Sequence, residues 1–135
     1  GRRRVLDNEA DAAVARPQDD KSVVLRVDRN TGAPVSDNPF YGDDERLARY
    51  YAYGIRNSFG MDFDPLTGTL WMTENGPDSY DEINVVRPGF NSGWHKLTGP
   101  MGRWPGMTED SLMQLQGSHY QDPVFSWKQP VGVTD

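Results

Sequence analysis

Between Phe59 and Glu74 the sequence reads FGMDFDPLTGTLWMTE, two short alternating runs around a loop containing Pro and Gly. A period of two puts Phe59, Met61 and Phe63 on one face. It likewise puts Leu70 and Met72 on one face, with Trp71 opposite; a helix would scatter these residues. Asp64-Pro65-Leu66-Thr67-Gly68 supplies the turn chemistry of a hairpin. Other short runs follow the same pattern: Ser22–Asp28, where Val23, Leu25 and Val27 alternate, then Asp81–Val86 and Val124–Trp127. Arg46–Tyr53 fits a short helix or an edge strand, and its aromatic run Tyr50, Tyr51, Tyr53 favours the strand. With 14 Gly and 10 Pro in 135 residues, turns are frequent and long helices disfavoured. The expectation is an all-β fold with long loops.

Residues 1–21 are polar and read as a surface loop, and 22–98 as the strand-bearing core. Residues 99–123 read as a long loop carrying one short helix, capped by Thr108 and running through Gln116 to an exit at Gly117. Glu109 and Asp110 suit its positive end. Residues 124–135 read as the start of the next strand unit. Asp-x-x-Thr-Gly occurs at Asp28–Gly32 and again at Asp64–Gly68. That echo fits a repeated strand array such as a propeller, and equally two similar hairpin turns.

Several function classes are excluded. A net charge of -6 and a pI near 4.8 oppose binding to nucleic acid or anionic membrane. They suit a divalent cation held by oxygen ligands. No cysteine is present, which removes disulfides, thiolate catalysis and thiolate metal sites. No apolar run approaches the roughly 18 residues of a membrane span. The opening GRRRVLDNEADAAV lacks the apolar core of a signal peptide and reads as an internal start.

Five places carry chemistry. Arg56 offers a planar fork of donors for carboxylates, and Asn57 adds a donor and an acceptor beside it. The plainer alternative pairs Arg56 with a nearby acid, and spacing alone favours it. Glu74-Asn75-Gly76-Pro77 ends a strand at a corner able to aim successive carbonyl oxygens at one point, as a hard cation requires; an ordinary turn is the alternative. Asp78, Asp81 and Glu82 read as a solvated charged turn before a calcium loop. His95 and His119 lack metal spacing and a nearby nucleophile, and read as loop histidines. Among the tryptophans, Trp71 reads as packing between sheets, while Trp94 and Trp104 stand in Gly-rich loops suited to stacking on a ring.

One ordered set of pieces resembles the soluble glucose/sorbosone dehydrogenase family. The pieces are Val23–Phe40, Gly54-Ile55-Arg56-Asn57-Ser58-Phe59-Gly60, MDFDPLTGTLWMTE, Asn75-Gly76-Pro77, Asp81-Glu82-Ile83-Asn84 and Pro88–Trp94. The resemblance implies about two blades from the middle of a six-bladed β-propeller. It implies part of an aldose dehydrogenase that uses pyrroloquinoline quinone (PQQ) and calcium and oxidises the sugar by hydride transfer to the quinone. Arg56 and Asn57 would contact the quinone, the main-chain oxygens of Gly76 and Pro77 would ligate calcium, and Glu82 would serve a second, structural calcium. The family's catalytic base is a histidine on an earlier blade, so no catalytic residue is assigned here. Ser58-Phe59 departs from the Pro-Gln common in the family. A sugar and an electron acceptor would be the partners, with self-association through exposed strand edges and a periplasmic or secreted location. The alternative is a non-catalytic propeller segment that binds carbohydrate or protein.

Overall fold

The structure, a computed structural model, describes residues 22–42 and 44–134; the surface loop expected over 1–21 lies outside them. Eight strands form two four-stranded sheets. The first contains β1 (Val23–Leu25), β2 (Tyr50–Tyr53), β6 (Phe90–Asn91) and β7 (His119–Tyr120), in that spatial order. The second contains β3 (Met61–Phe63), β4 (Leu70–Glu74), β5 (Asp81–Val85) and β8 (Phe125–Trp127). All pairs in the second sheet are antiparallel. In the first, β1 runs antiparallel to β2, while β2, β6 and β7 run parallel.

The expected β3–β4 hairpin is present, with Met61 facing Met72 and Phe63 facing Leu70. Its turn and the earlier Asp-x-x-Thr-Gly are built alike. In each, the Asp side chain accepts from the main chain two residues on and from the Thr hydroxyl three residues on. In each, the Gly N–H returns to the Asp carbonyl at 2.8 Å, with the Gly at φ near +70°. That conformation is nearly free for glycine alone.

The hydrophobic core lies between the sheets. Ala52 and Phe90 from the first meet Leu70 and Met72 from the second, with Ile55 and Val86 closing the cluster. A second centre forms around Tyr53, against Val23, Phe40, Met113 and Leu115. The Tyr53 hydroxyl donates to Ser118 Oγ at 2.7 Å and accepts from the Leu115 N–H at 3.0 Å, fastening the 99–118 loop to β2.

Four expectations change. Arg46–Tyr53 is both a turn of 3-10 helix (Leu47–Arg49) and a strand, and β2 lies inside its sheet rather than at an edge, because β6 returns to cover its second side. The helix from Thr108 to Gln116 shrinks to one 3-10 turn, Glu109–Ser111. Ser111 completes a capping box with Thr108, and the chain then extends so that Leu112 is buried. Residues 99–123 are not all loop, since β7 falls within them. Val124–Trp127, expected to open a further unit, instead pairs with β5 and completes the second sheet.

The apolar face of Phe59, Met61 and Phe63 is exposed, and β3 stands at the edge of its sheet. Phe90 is fully buried and Phe63 is 62% exposed. Phe90→Ala is therefore expected to cost about 3–5 kcal/mol. Phe63→Ala should change stability by about 0.5 kcal/mol or less. Urea unfolding of the two variants checks the assignment, and equal losses would contradict it.

Candidate functional site

The site forms where the ends of β2, β4 and β6 meet the start of β5. Its pivot is Glu74, the last residue of β4, which is 5% exposed. One carboxylate oxygen accepts the Arg56 main-chain N–H at 2.6 Å. The other accepts the Ser92 hydroxyl at 2.6 Å and the Asn84 amide at 3.4 Å. Directly across the ladder stands Glu82, 3% exposed, which accepts from Asn84 at 3.1 Å and from the Gly99 N–H. Asn84 thus bridges two buried carboxyl groups.

Burial is the main reason the Glu74 carboxyl is pushed up, to about 8, and the facing Glu82 adds to the rise. The Arg56 N–H, the Ser92 hydroxyl and the Arg56 charge act the other way. Glu82 is also raised, again chiefly by burial, against the pull of Asn84 and the Gly99 N–H. Two adjacent anions in a desolvated site are costly, so one proton is retained.

Arg56 is half-buried and makes no ion pair among the described residues, so the reading that paired it with a local acid is overturned. Its Nη1 instead donates to the carbonyls of Asn75 at 2.7 Å and Gly76 at 3.0 Å. The guanidinium carbon lies 5.5 Å from the centroid of the Trp94 ring, within cation–π range. Asn57 is exposed beside it, and its carbonyl accepts the Asn75 N–H at 2.9 Å. The corner after β4 does turn two carbonyls toward one point, and the guanidinium stands there. Pro77 is exposed. Gly76 admits no side chain, because a Cβ would run into the carbonyl oxygens of Ser79 and Tyr80.

The carboxylates 78, 81 and 82 are not a solvated turn. Asp78 is exposed, but Asp81 is 0% exposed and Glu82 lines the buried pair. Asp81 accepts the N–H groups of Gly76, Val131 and Gly132. Burial raises its carboxyl, and these donors more than offset the rise, holding it below the usual aspartate range. Tyr80, just before it, is held at φ +62°, a left-handed conformation rare for a bulky residue. Among the described residues no group of three or more His, Asp or Glu side chains is gathered around one point.

Trp94 lines the site, whereas Trp104 is tied to the Thr98 carbonyl at 2.8 Å. Trp71 is partly buried on β4. His95 is exposed, edge-on to Trp94, and His119 is half-buried in β7. Sequence reasoning missed Glu74, Asn84 and Ser92 as a hydrogen-bonded set. Alternation alone could have placed Glu82 and Asn84 on one face of β5, but the register that brings Glu74 to them is not written in either strand.

The raised Glu74 carboxyl makes a pH prediction. An unfolded glutamate titrates near ~4.3. Between about pH 4 and 8 the native state holds a proton that the unfolded chain has lost, so stability falls as pH rises through that window. Glu74→Gln, neutral and similar in size, is expected to flatten the decline in urea midpoints across it. A slope as steep as that of the wild type would place its origin elsewhere.

The chain is 34% identical over 107 residues to aldose sugar dehydrogenase YliI of Escherichia coli K12, covering 76% of this chain and 28% of that protein. It is 38% identical over 76 residues to quinoprotein glucose dehydrogenase B of Acinetobacter calcoaceticus, covering 56% of this chain and 15% of that protein. Among solved structures it matches the PQQ-bound aldose sugar dehydrogenase of Streptomyces coelicolor at TM-score 0.57 and 33% identity. That match covers 79% of this chain and 26% of the other. The apo-form of the Escherichia coli soluble aldose sugar dehydrogenase matches at TM-score 0.59 and 32% identity, over 84% of this chain and 31% of the other. The chain thus spans under a third of the length of these relatives, and its two sheets are part of a β-propeller. The glucose/sorbosone dehydrogenase family model matches residues 5–135, and the chain belongs to that family.

Proposed function

We propose that this chain supplies one wall of the cofactor site of a PQQ- and calcium-dependent aldose dehydrogenase. The observation that carries the reading is the state of Arg56. Its guanidinium is held by two main-chain carbonyls and an aromatic face, with no carboxylate partner among the described residues. A cation fixed in this way and left without a counter-ion suits a ligand that brings its own carboxylates, as PQQ does. Asn57, exposed alongside, adds neutral donors and acceptors.

The donor set also fits a hard cation. The carbonyls of Gly76 and Pro77 would be neutral oxygen ligands, and Asn75 Oδ1 close by is a buried acceptor with no partner among the described residues. Arg56 already occupies one lone pair of the Gly76 oxygen, so an ion there would use the second. When bound, the quinone takes up the electrons released as the aldose is oxidised, and calcium polarises its carbonyl. This chain's own residues bind and orient. Arg56 fixes the anionic edge of the cofactor, Trp94 braces Arg56, and Glu74 holds the Arg56 main chain. Glu82 would be the residue for a second, structural ion, which would have to hold its buried carboxyl in the deprotonated form.

No histidine of this chain is assigned as the base. His95 is exposed and His119 is in β7, across the first sheet from β1. A complete site would draw its base, and further contacts, from other blades. The reading brings with it a sugar substrate, an external electron acceptor and a periplasmic or secreted setting. The exposed apolar face of β3 gives the chain a surface through which copies would associate in isolation.

The test is calorimetric titration of PQQ into the 135-residue chain, with and without calcium. Wild type is expected to bind more tightly with calcium, and Arg56→Ala to lose about tenfold or more in affinity. Equal affinity in the two proteins would remove Arg56 from the site. Sustained aldose oxidation by the isolated chain would show that it holds a base of its own and overturn the partial-site reading.

A further inference from the structure

Asp81 is the first residue of β5 and is completely buried, yet it faces no cation among the described residues. Its carboxylate meets main-chain N–H groups drawn from two distant segments. Oδ1 accepts the Gly76 N–H at 3.0 Å. Oδ2 accepts the N–H groups of Val131 at 2.7 Å and Gly132 at 2.6 Å.

The Gly76 contact has a second end. A trans peptide is planar, with its N–H and C=O pointing to opposite sides. When Asp81 holds the Gly76 N–H, it also aims the Asn75 carbonyl of the same peptide the other way. That carbonyl accepts Arg56 Nη1 at 2.7 Å. The result is an ordered line: carboxylate, peptide dipole, guanidinium. Each charge polarises the peptide in the same sense, which strengthens both hydrogen bonds. Only glycine fits at this corner, because a Cβ at position 76 would run into the Ser79 and Tyr80 carbonyl oxygens.

We propose that Asp81 is the positioning residue for Arg56, acting through the Asn75–Gly76 peptide to set the direction in which the guanidinium meets an anionic ligand. This rests on the cofactor reading above. It also makes the 131–132 segment a support of the site. The donors from Val131 and Gly132 hold the second oxygen of Asp81 and so fix the rotation of the carboxylate that orients the corner.

The experiment compares wild type, Asp81→Asn and a control, Tyr53→Phe, which removes a buried hydroxyl network elsewhere in the fold. Hydrogen exchange of the Gly76 amide and the Arg56 guanidinium is read by NMR without ligand, and PQQ is then titrated in the presence of calcium. Asp81→Asn is expected to speed exchange at both groups by about tenfold and to weaken PQQ binding by a similar factor. Tyr53→Phe should leave all three unchanged. Wild-type protection at Arg56 in Asp81→Asn would overturn the proposal, as would equal loss in both variants. Should Asp81→Asn fail to fold, Arg56→Ala reads the same line from its other end, and an unaltered Gly76 amide would refute the link. If wild type binds no PQQ, the cofactor reading falls, and the exchange data still decide the role of Asp81.

Discussion

The Glu74 carboxyl group is the point on which both sheets depend. It ends a strand of the second sheet, yet its partners lie on the segments that leave strands of the first, Arg56 three residues after β2 and Ser92 immediately after β6. Core packing brings the sheets together without direction, since apolar contact is largely indifferent to small sliding. Glu74 supplies the direction. Its bonds to a main-chain N–H and a hydroxyl, both at 2.6 Å, tolerate little displacement in a buried setting. The segments leaving β2 and β6 are thereby brought to the corner leaving β4, and Arg56 is set over the Trp94 ring.

The site is built from buried carboxyl groups used in two different ways. Glu74 and Glu82 face each other and keep a proton chiefly because both are buried, the charge of Glu82 adding to the rise at Glu74. Asp81, one residue away, is also buried but remains an anion because three N–H groups converge on it. Much of the difference lies in the donors. Glu74 and Glu82 each take a single main-chain donor beside their side-chain donors, whereas Asp81 takes three main-chain donors. A main-chain donor cannot rotate away, so it enforces both geometry and charge.

Much of this fold was legible in the residues. Met61 opposite Met72 and the Asp64–Gly68 turn follow from alternation and turn chemistry alone. The cluster from Gly54 to Gly60 and the Asn75-Gly76-Pro77 corner stood out by composition, and the structure brings Arg56 and Gly76 into contact. Partner choice was less legible. Alternation in Val124–Trp127 says that the segment is a strand but not that it pairs with β5. The burial of Asp81 was hidden for a related reason. A charged triplet is normally solvated, and what reverses that here is a pair of N–H groups fifty residues further on. Phe59 and Phe63 misled in the other direction, since alternation marks a face as apolar without saying what covers it.

The strand order carries a further consequence. The first sheet takes β1, β2, β6 and β7, and the second takes β3, β4, β5 and β8. Neither sheet is a contiguous piece of chain. The parallel pairing of β2 with β6 closes only after the β3–β5 meander has been laid down, and β8 joins that meander only after β7 is in place. Every cut between Phe63 and His119 therefore severs both sheets at once. Such a topology assembles through sequence-distant contacts, which raises the entropic cost of reaching the transition state. It also leaves no seam at which recombination could exchange one sheet and spare the other. The two sheets are inherited together, or not at all.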